Sequence, residues 1–265
     1  MISNRFITLL SDFGLSDIYV GVMKGVIAQI NPMLRTIDLN HDLPPQNIQA
    51  AQFNLISAYP YFPGGTVHMA VVDPGVGGTR RAIAIERPDG ILVGPDNGIF
   101  TAFMDQMVQV VELNRAAYWR ATEPSHTFHG RDIFAAVAAH LASGVAITEV
   151  GDPLDPALLV QAPLPTCAQT PNGILGRVQY IDRFGNVIIN IPGNLVQHHD
   201  WSVLIGKRSI PGCRTYSEVK VGEPLGLIGS HGWVEIAVNG GDAHFQLRLN
   251  WEDPIELLID KSIDQ

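Results

Sequence analysis

The feature that most constrains this chain is a change of rhythm partway along it. Up to Gly151, short runs rich in β-branched and aliphatic residues alternate with stretches of helical spacing. The runs are 5–10 (RFITLL), 35–39 (RTIDL), 66–72 (TVHMAVV), 82–86 (AIAIE) and 91–94 (ILVG); the helical stretches are 17–30, 47–58 and 132–142. Runs that are apolar at nearly every residue read as strands covered on both faces. Their alternation with helices implies right-handed βαβ units around a mostly parallel sheet. Residues 1–165 are therefore expected to form a Rossmann-like α/β domain with helices on both faces. After Gly151 the stretch DPLDPALLVQAPLPTCAQTPNG carries five prolines and no periodicity, the mark of a linker. Beyond it lie 174–182, 186–191, 202–206, 224–229 and 233–239, short strand-like segments parted by Gly, Asn and Pro with no convincing helix. They predict a smaller all-β barrel over residues 166–265.

Composition narrows the class of partner. The formal charge of −9, with no Lys/Arg block, leaves no electrostatic footprint for a phosphate backbone and argues against nucleic acid. A neutral or cationic small ligand suits it better. Cys167 and Cys213 form no CxxC pair, so reduced thiols are expected rather than a disulfide framework or a zinc knuckle. The first residues lack a signal-peptide pattern, and no window of about 18 apolar residues exists. A soluble cytoplasmic protein with no membrane partner is the expectation.

In a parallel sheet the loops at the carboxyl ends of strands form the ligand crevice. Asp12, Asp73 and the pair Asp96 and Asn97 all fall at such ends. Each alone is an ordinary turn former, and the type I turn reading of Asp73 in DPGVGG carries equal weight. Together they are costly unless they meet a cation, hydroxyls or hydrogen-bond donors. Gly75, Gly77 and Gly78 permit either close approach to a ligand or a tight loop. No phosphate-binding glycine motif is present. Arg80 and Arg81 face opposite ways by strand alternation, so one can return to Asp73 while the other is read as a solvated surface charge. His129 and Gly130 precede a helix, where a histidine is more often a cap or core residue than a catalyst; Arg131 and Asp132 read as a helix N-terminal ion pair. No HExxH, paired helical histidines or cysteine cluster occurs among the nine histidines and two cysteines, which disfavours zinc. Spacing alone leaves open a magnesium or calcium site on Asp12, Asp73 and Asp96. In the second unit Asp182, Phe184 and Asn186, with Ser230, Glu235, Ala237 and Asn239, fit either hairpin turn chemistry or a face for a flat polar heterocycle.

Taken together, SDFGLSDIYVG, VVDPGVGGTRRAIAI, GPDNGIF, TFHGRDIFA, IDRFGNVIIN and GSHGWVEIAVNGG resemble, in order, the S-adenosylmethionine (SAM) hydroxide adenosyltransferase family, the adenosine-forming SAM hydrolases related to fluorinases and chlorinases. The resemblance runs from about Ile7 to about Asp242. It implies an N-terminal α/β domain, a C-terminal β-barrel, a homotrimer with SAM at subunit interfaces, and conversion of SAM and water to adenosine and methionine with no cofactor. It implies Asp73, Arg80 and His129 as the catalytic trio and Asp12 as the carboxylate on the ribose hydroxyls. Phe13, Asp17, Asn97 and Gly130 stand in the same matching blocks and are expected to bind substrate. Asp182, Phe184, Asn186, Ser230 and the strand holding Glu235, Ala237 and Asn239 match positions for the methionine and adenine ends. The halogenases carry Tyr-Pro-Ala-Thr where this chain has DPGV, and Tyr-Ser where it has His129-Gly130, which points to water as nucleophile. A sulfonium leaves as a neutral sulfide and needs no acid, so in-line attack at ribose C5′ rests on positioning water. The rival readings are a divalent-metal nucleoside hydrolase and a non-catalytic SAM or adenosine sensor.

Overall fold

The computed structural model describes residues 6–259; Arg5 of the expected first strand and the outer ends of both expected domains lie outside this range. The chain forms two compact units that divide between Pro163 and Leu164. In the first, β1 (Phe6–Ser11), α1 (Tyr19–Ile30), β2 (Arg35–Asn40), α2 (Ile48–Ala58), β3 (Thr66–Val71), β4 (Ala82–Arg87), β5 (Gly90–Pro95) and β6 (Gln109–Glu112) follow in order. A single π-turn, Gly130–Phe134, then runs into α3 (Ala135–Ala142), followed by α4 (Ile147–Val150) and β7 (Asp152–Pro153).

These strands make one seven-stranded sheet in the order β2-β1-β3-β5-β4-β6-β7. The pairings β1 with β2, β1 with β3 and β3 with β5 are parallel, whereas β4 with β5, β4 with β6 and β6 with β7 are antiparallel. The sheet is therefore mixed, and the expectation of a mostly parallel, Rossmann-like sheet is corrected. The reason is the loop Pro88-Asp89 between β4 and β5: two residues close a hairpin, whereas a parallel crossover needs a dozen or more.

Alternate residues of the central strands face opposite layers. Ile7, Leu9, Val67, Met69 and Val93 are buried with Met23 and Ile27 of α1 and with the alanine-rich α3. On the other face Thr8 hydrogen-bonds His68 Nδ1 at 2.9 Å, and the Tyr59 ring after α2 lies over the His68 ring at 4.5 Å. Among the described residues no helix is long and apolar enough to cross a membrane.

The second unit comprises β8 (Ala168–Thr170), β9 (Gly173–Ile181), β10 (Val187–Pro192), β11 (Trp201–Ile205), β12 (Arg208–Pro211), β13 (Pro224–Ile228), β14 (Trp233–Val238), a short helix α5 (Ala243–Leu247) and β15 (Pro254–Ile259). All named pairings are antiparallel, in the order β12-β11-β15-β9-β10-β14-β13 with β8 on β9. The sheet curls until its two ends meet: Gly212 bridges Gly226, and Cys213 N–H donates to Gly226 O at 2.7 Å. The result is a nearly closed barrel-like sheet around Ile174, Val187, Ile189, Val203, Val234, Ile236 and Leu257. The helix α5, not anticipated in this unit, forms because the Asp242 carboxylate caps it, accepting from Phe245 N–H at 2.7 Å.

Candidate active site

Parallel pairing of β1, β3 and β5 brings their carboxyl ends to one edge. Ser11 lies opposite Val71 in the β1–β3 ladder, so Asp12 and Asp73 leave neighbouring strands together. The Asp73 side chain is 5% exposed and is held by Arg80. Arg80 Nε donates to Asp73 Oδ1 at 2.9 Å and Oδ2 at 3.0 Å, and Nη2 donates to Oδ2 as well. The same Nη2 donates to His129 Nδ1 at 2.8 Å, and the guanidinium rests over the Phe134 ring at 5.3 Å. A guanidinium only donates, so Nδ1 of His129 is an acceptor and the ring's remaining proton belongs to Nε2. Burial and the Arg80 charge push the His129 pKa below the usual histidine value, against the pull of Asp73 and Asp132.

Two backbone features hold the trio's loops together. Gly77 has φ +73°, and a Cβ there would lie 3.0 Å from the carbonyl carbon of His126, with the carbonyl oxygen nearer still. The loop carrying Asp73 and Arg80 thus packs backbone to backbone against the loop carrying His129. That loop is also anchored by Asp132, a 1% exposed carboxylate receiving Ser125 N–H at 2.9 Å and the guanidinium of Arg131 at 2.6 Å. Asp132 also accepts from Arg120 at 3.2 Å, so it is more than a helix-start ion pair. Burial raises its pKa, but the donors from Arg131 and Ser125 prevail and hold the carboxyl below its ordinary value.

Around the trio, Phe13, Tyr19 and Phe128 pack edge to face or tilted at 5.2–5.8 Å. With Ser125, Thr127 and Arg131 they line a cavity of about 390 Å³. Gly130 sits beneath them: a side chain there would press on Met23, Phe128 and Phe13 at 3.1–3.4 Å. Asn97 lies at the same edge with its amide taken up by the backbone, Nδ2 donating to Val72 O at 2.8 Å and Oδ1 accepting from Ile99 N–H at 3.2 Å. Asp17 stands exposed just before α1. Asp96 is committed elsewhere. It accepts from Arg81 Nε and Nη2 at 2.8 and 2.6 Å and from Val160 N–H at 2.9 Å. Arg81 is thus an ion-pair partner and not the solvated surface charge expected; it turns away from Asp73 toward the end of β5, where Ala82 pairs Pro95. Among the described residues no group of three His, Cys, Asp or Glu side chains is arranged to hold a metal ion.

In the barrel unit Asp182 builds its own turn. Its Oδ1 accepts from Phe184 and Asn186 N–H at 2.8 Å each, and its Oδ2 from Asn186 Nδ2 at 3.0 Å. The turn presents Phe184 at 77% exposure. One strand over, buried Glu235 accepts from Tyr216 O–H at 2.7 Å and from His231 Nε2 at 3.3 Å. Burial and the Glu235 carboxylate raise the Tyr216 hydroxyl well above its ordinary value. Asp182, Phe184, Asn186 and Glu235 therefore share one region with Tyr216, which the sequence did not single out. Ala237 packs inside a small apolar cluster with Leu225 and Leu227. Ser230 and Asn239 flank β14 at opposite ends, roughly 20 Å apart by strand rise, and are not brought together. Asn239 spends its amide on Val219 O at 2.8 Å. A larger depression of about 760 Å³, lined by His198, His199, Trp201, Cys213 and Arg214 among others, holds none of these residues.

A mixed α/β unit with an acid–arginine–imidazole chain at its strand ends, joined to a small antiparallel barrel, defines a two-unit enzyme architecture. Residues 7–151 match the SAM hydroxide adenosyltransferase N-terminal domain, and residues 176–256 match the C-terminal domain. The chain belongs to the SAM hydroxide adenosyltransferase family. It is 39% identical to an (R)-S-adenosyl-L-methionine hydrolase of Salinispora tropica, covering 92% of this chain and 94% of that protein. It is 40% identical to one of Thermus thermophilus, covering 96% and 100%. A more distant relative is a fluorinase of Actinoplanes sp., 26% identical over 93% and 95%. A crystal structure of an uncharacterized conserved protein from Thermotoga maritima superposes with a TM-score of 0.88 at 37% identity, covering 95% of this chain and 99% of that one.

Proposed function

We propose that this protein hydrolyses SAM to adenosine and L-methionine by a single in-line displacement. The observation that carries the reading is the buried chain Asp73–Arg80–His129 in a member of this family. Asp73 accepts the proton of the attacking water as its oxygen attacks C5′, and Arg80 holds both that carboxylate and the His129 ring in place beside it. The C5′–S bond breaks with its electron pair moving to sulfur, so the sulfonium departs as neutral methionine thioether. Arg80 occupies part of the Asp73 acceptor capacity; two carboxylate oxygens offer about four lone-pair sites, which leaves room for the water proton. Because His129 Nδ1 already accepts from Arg80, that nitrogen is not free to take the proton, and the Asp73 carboxylate is the base. Positioning and electrostatics supply the rate.

Asp12 holds the ribose hydroxyls, and the turn and strand that carry Asp182, Asn186 and Glu235, contributed by a neighbouring subunit, take the ends of the substrate. The reaction uses no metal and no cofactor, a reading supported by the arginine partners of Asp73 and Asp96. The active form is a cytoplasmic homotrimer with SAM at subunit interfaces, the trimer resting on the motif resemblance and the location on the sequence pattern. Incubating purified protein with SAM and following adenosine and methionine by chromatography tests the reading. Asp73→Ala should abolish product while SAM still binds; equal activity in chelator separates this enzyme from a metal-dependent nucleoside hydrolase. A protein that binds SAM and forms no product over many hours is a sensor instead. Sedimentation in solution tests the trimer.

A further inference from the structure

We infer that residue 46 is a positioning residue for Asp12, acting through its backbone N–H, and that its left-handed conformation is what aims that group. The inference rests on the proposed role of Asp12 toward the ribose. Gln46 has φ 63°, one of three non-glycine residues with positive φ among the described residues. The other two, Arg248 and Glu252, lie in the barrel unit. A glutamine held in this region is uncommon and persists only where its surroundings over-determine it. Its N–H donates to Asp12 Oδ2 at 2.7 Å. The chain arrives through Pro44-Pro45 and leaves into Asn47, whose side chain caps α2 by accepting from Ala50 N–H at 2.9 Å. The left-handed residue makes that turn and leaves its N–H facing the end of β1.

Two more bonds tie the same segments together on either side of Asp12. Ser11 Oγ and His41 Nδ1, both buried, are 2.6 Å apart, and Gly14 N–H donates to His41 O at 2.7 Å. Asp12 therefore sits in a three-point frame made by residues 41–46. One of its oxygens is fixed by Gln46, and the other, Oδ1, has no protein donor among the described residues. A carboxylate held this way offers one aimed acceptor, suited to a substrate hydroxyl. The Gln46 side chain is exposed, so the role belongs to the backbone.

Gln46→Gly and Gln46→Val test this against wild type. Glycine keeps the N–H and the positive φ, whereas a β-branched residue resists that φ and swings the N–H away. KM and kcat are measured with SAM and with its 2′-deoxy analogue, and adenosine affinity is measured by calorimetry. Gln46→Gly should match wild type within about twofold, while Gln46→Val should weaken SAM and adenosine by about tenfold, the scale of a lost charge-assisted bond. The loss should shrink with the 2′-deoxy analogue, which removes one of the two hydroxyls Asp12 is proposed to hold, and vanish in an Asp12→Ala background. Equal losses with both substrates, a loss persisting without Asp12, or a defective Gln46→Gly would overturn the proposal. If Gln46→Val does not fold, Gln46→Ala is read by the same criteria. The calorimetric arm stands even if the wild-type protein never turns over SAM, which separates failure of this inference from failure of the hydrolase reading.

Discussion

Replacing Gly77 by alanine tests whether the two loops that assemble the trio are held by backbone contact. Gly77 lies at φ +73°, where an L-residue costs about 1–3 kcal/mol. The added Cβ would meet the His126 carbonyl carbon at 3.0 Å and Cα at 3.2 Å, with the oxygen closer. Since a carbon needs about 3.3 Å from a carbonyl oxygen, the loops must part by on the order of 1 Å. Gly77 is three residues before Arg80, and His126 is three before His129, so the parting falls on the 2.8 Å Arg80–His129 bond and carries it past hydrogen-bonding range. Strain and overpacking together should cost about 2–4 kcal/mol, lowering Tm by roughly 5–15 °C in a chain of this size. A misplacement of this scale costs about a hundredfold in kcat/KM. The assay is adenosine release from SAM alongside thermal unfolding. Gly78→Ala is the control: its Cβ would lie 3.2 Å from Gly75 O without positive φ, and it should stay within about threefold of wild type. A Gly77→Ala enzyme with wild-type kcat/KM would refute the argument that this contact sets the trio's geometry.

Three other outcomes follow from the same structure. Because His129 must be neutral to present its arrangement and its pKa lies below the usual histidine value, kcat/KM should hold flat through pH 7 and fall only on an acid limb below about 6.5; a limb at or above 7 would contradict it. His68, buried against Tyr59, has its pKa pushed down to about 4 by burial. The unfolded chain binds this proton more readily, so acidification from about 6.5 to about 4 should remove about 3 kcal/mol of stability, read as a falling urea midpoint that His68→Gln blunts. Arg81→Ala should leave the buried Asp96 carboxylate without its cation and cost about 3 kcal/mol by urea unfolding; a change under about 0.5 kcal/mol would show the pair to be dispensable.

Strand positions were legible because fully buried strands carry unbroken β-branched runs, and β1, β3 and β5 fall where those runs do. Strand direction was not, although the decisive signal was present: Pro88-Asp89 between two runs is too short for a crossover. Alternation correctly sent Arg80 and Arg81 to opposite sides. It could not show that Asp96, brought by the hairpin, waits on the second side. In the barrel, the Asp182 turn was visible as local spacing, since its donors lie two and four residues on. Tyr216 was invisible, because its partner Glu235 is 19 residues away, on the far side of β13, and no local spacing links the two. The trio itself came from motif resemblance; only its tautomer and its donor directions needed coordinates.

The way both sheets terminate bears on how this protein survives at high concentration. In the barrel unit the outermost strands β12 and β13 face each other at Gly212 and Gly226, so few backbone groups remain to recruit another chain. The mixed sheet is blunted differently: β7 spans just two residues, and β2 carries Arg35 and Asp38 on an exposed rim. Short or charged borders are poor templates for strand addition. The chain can thus keep long aliphatic runs inside without offering them as seeds for fibrous growth.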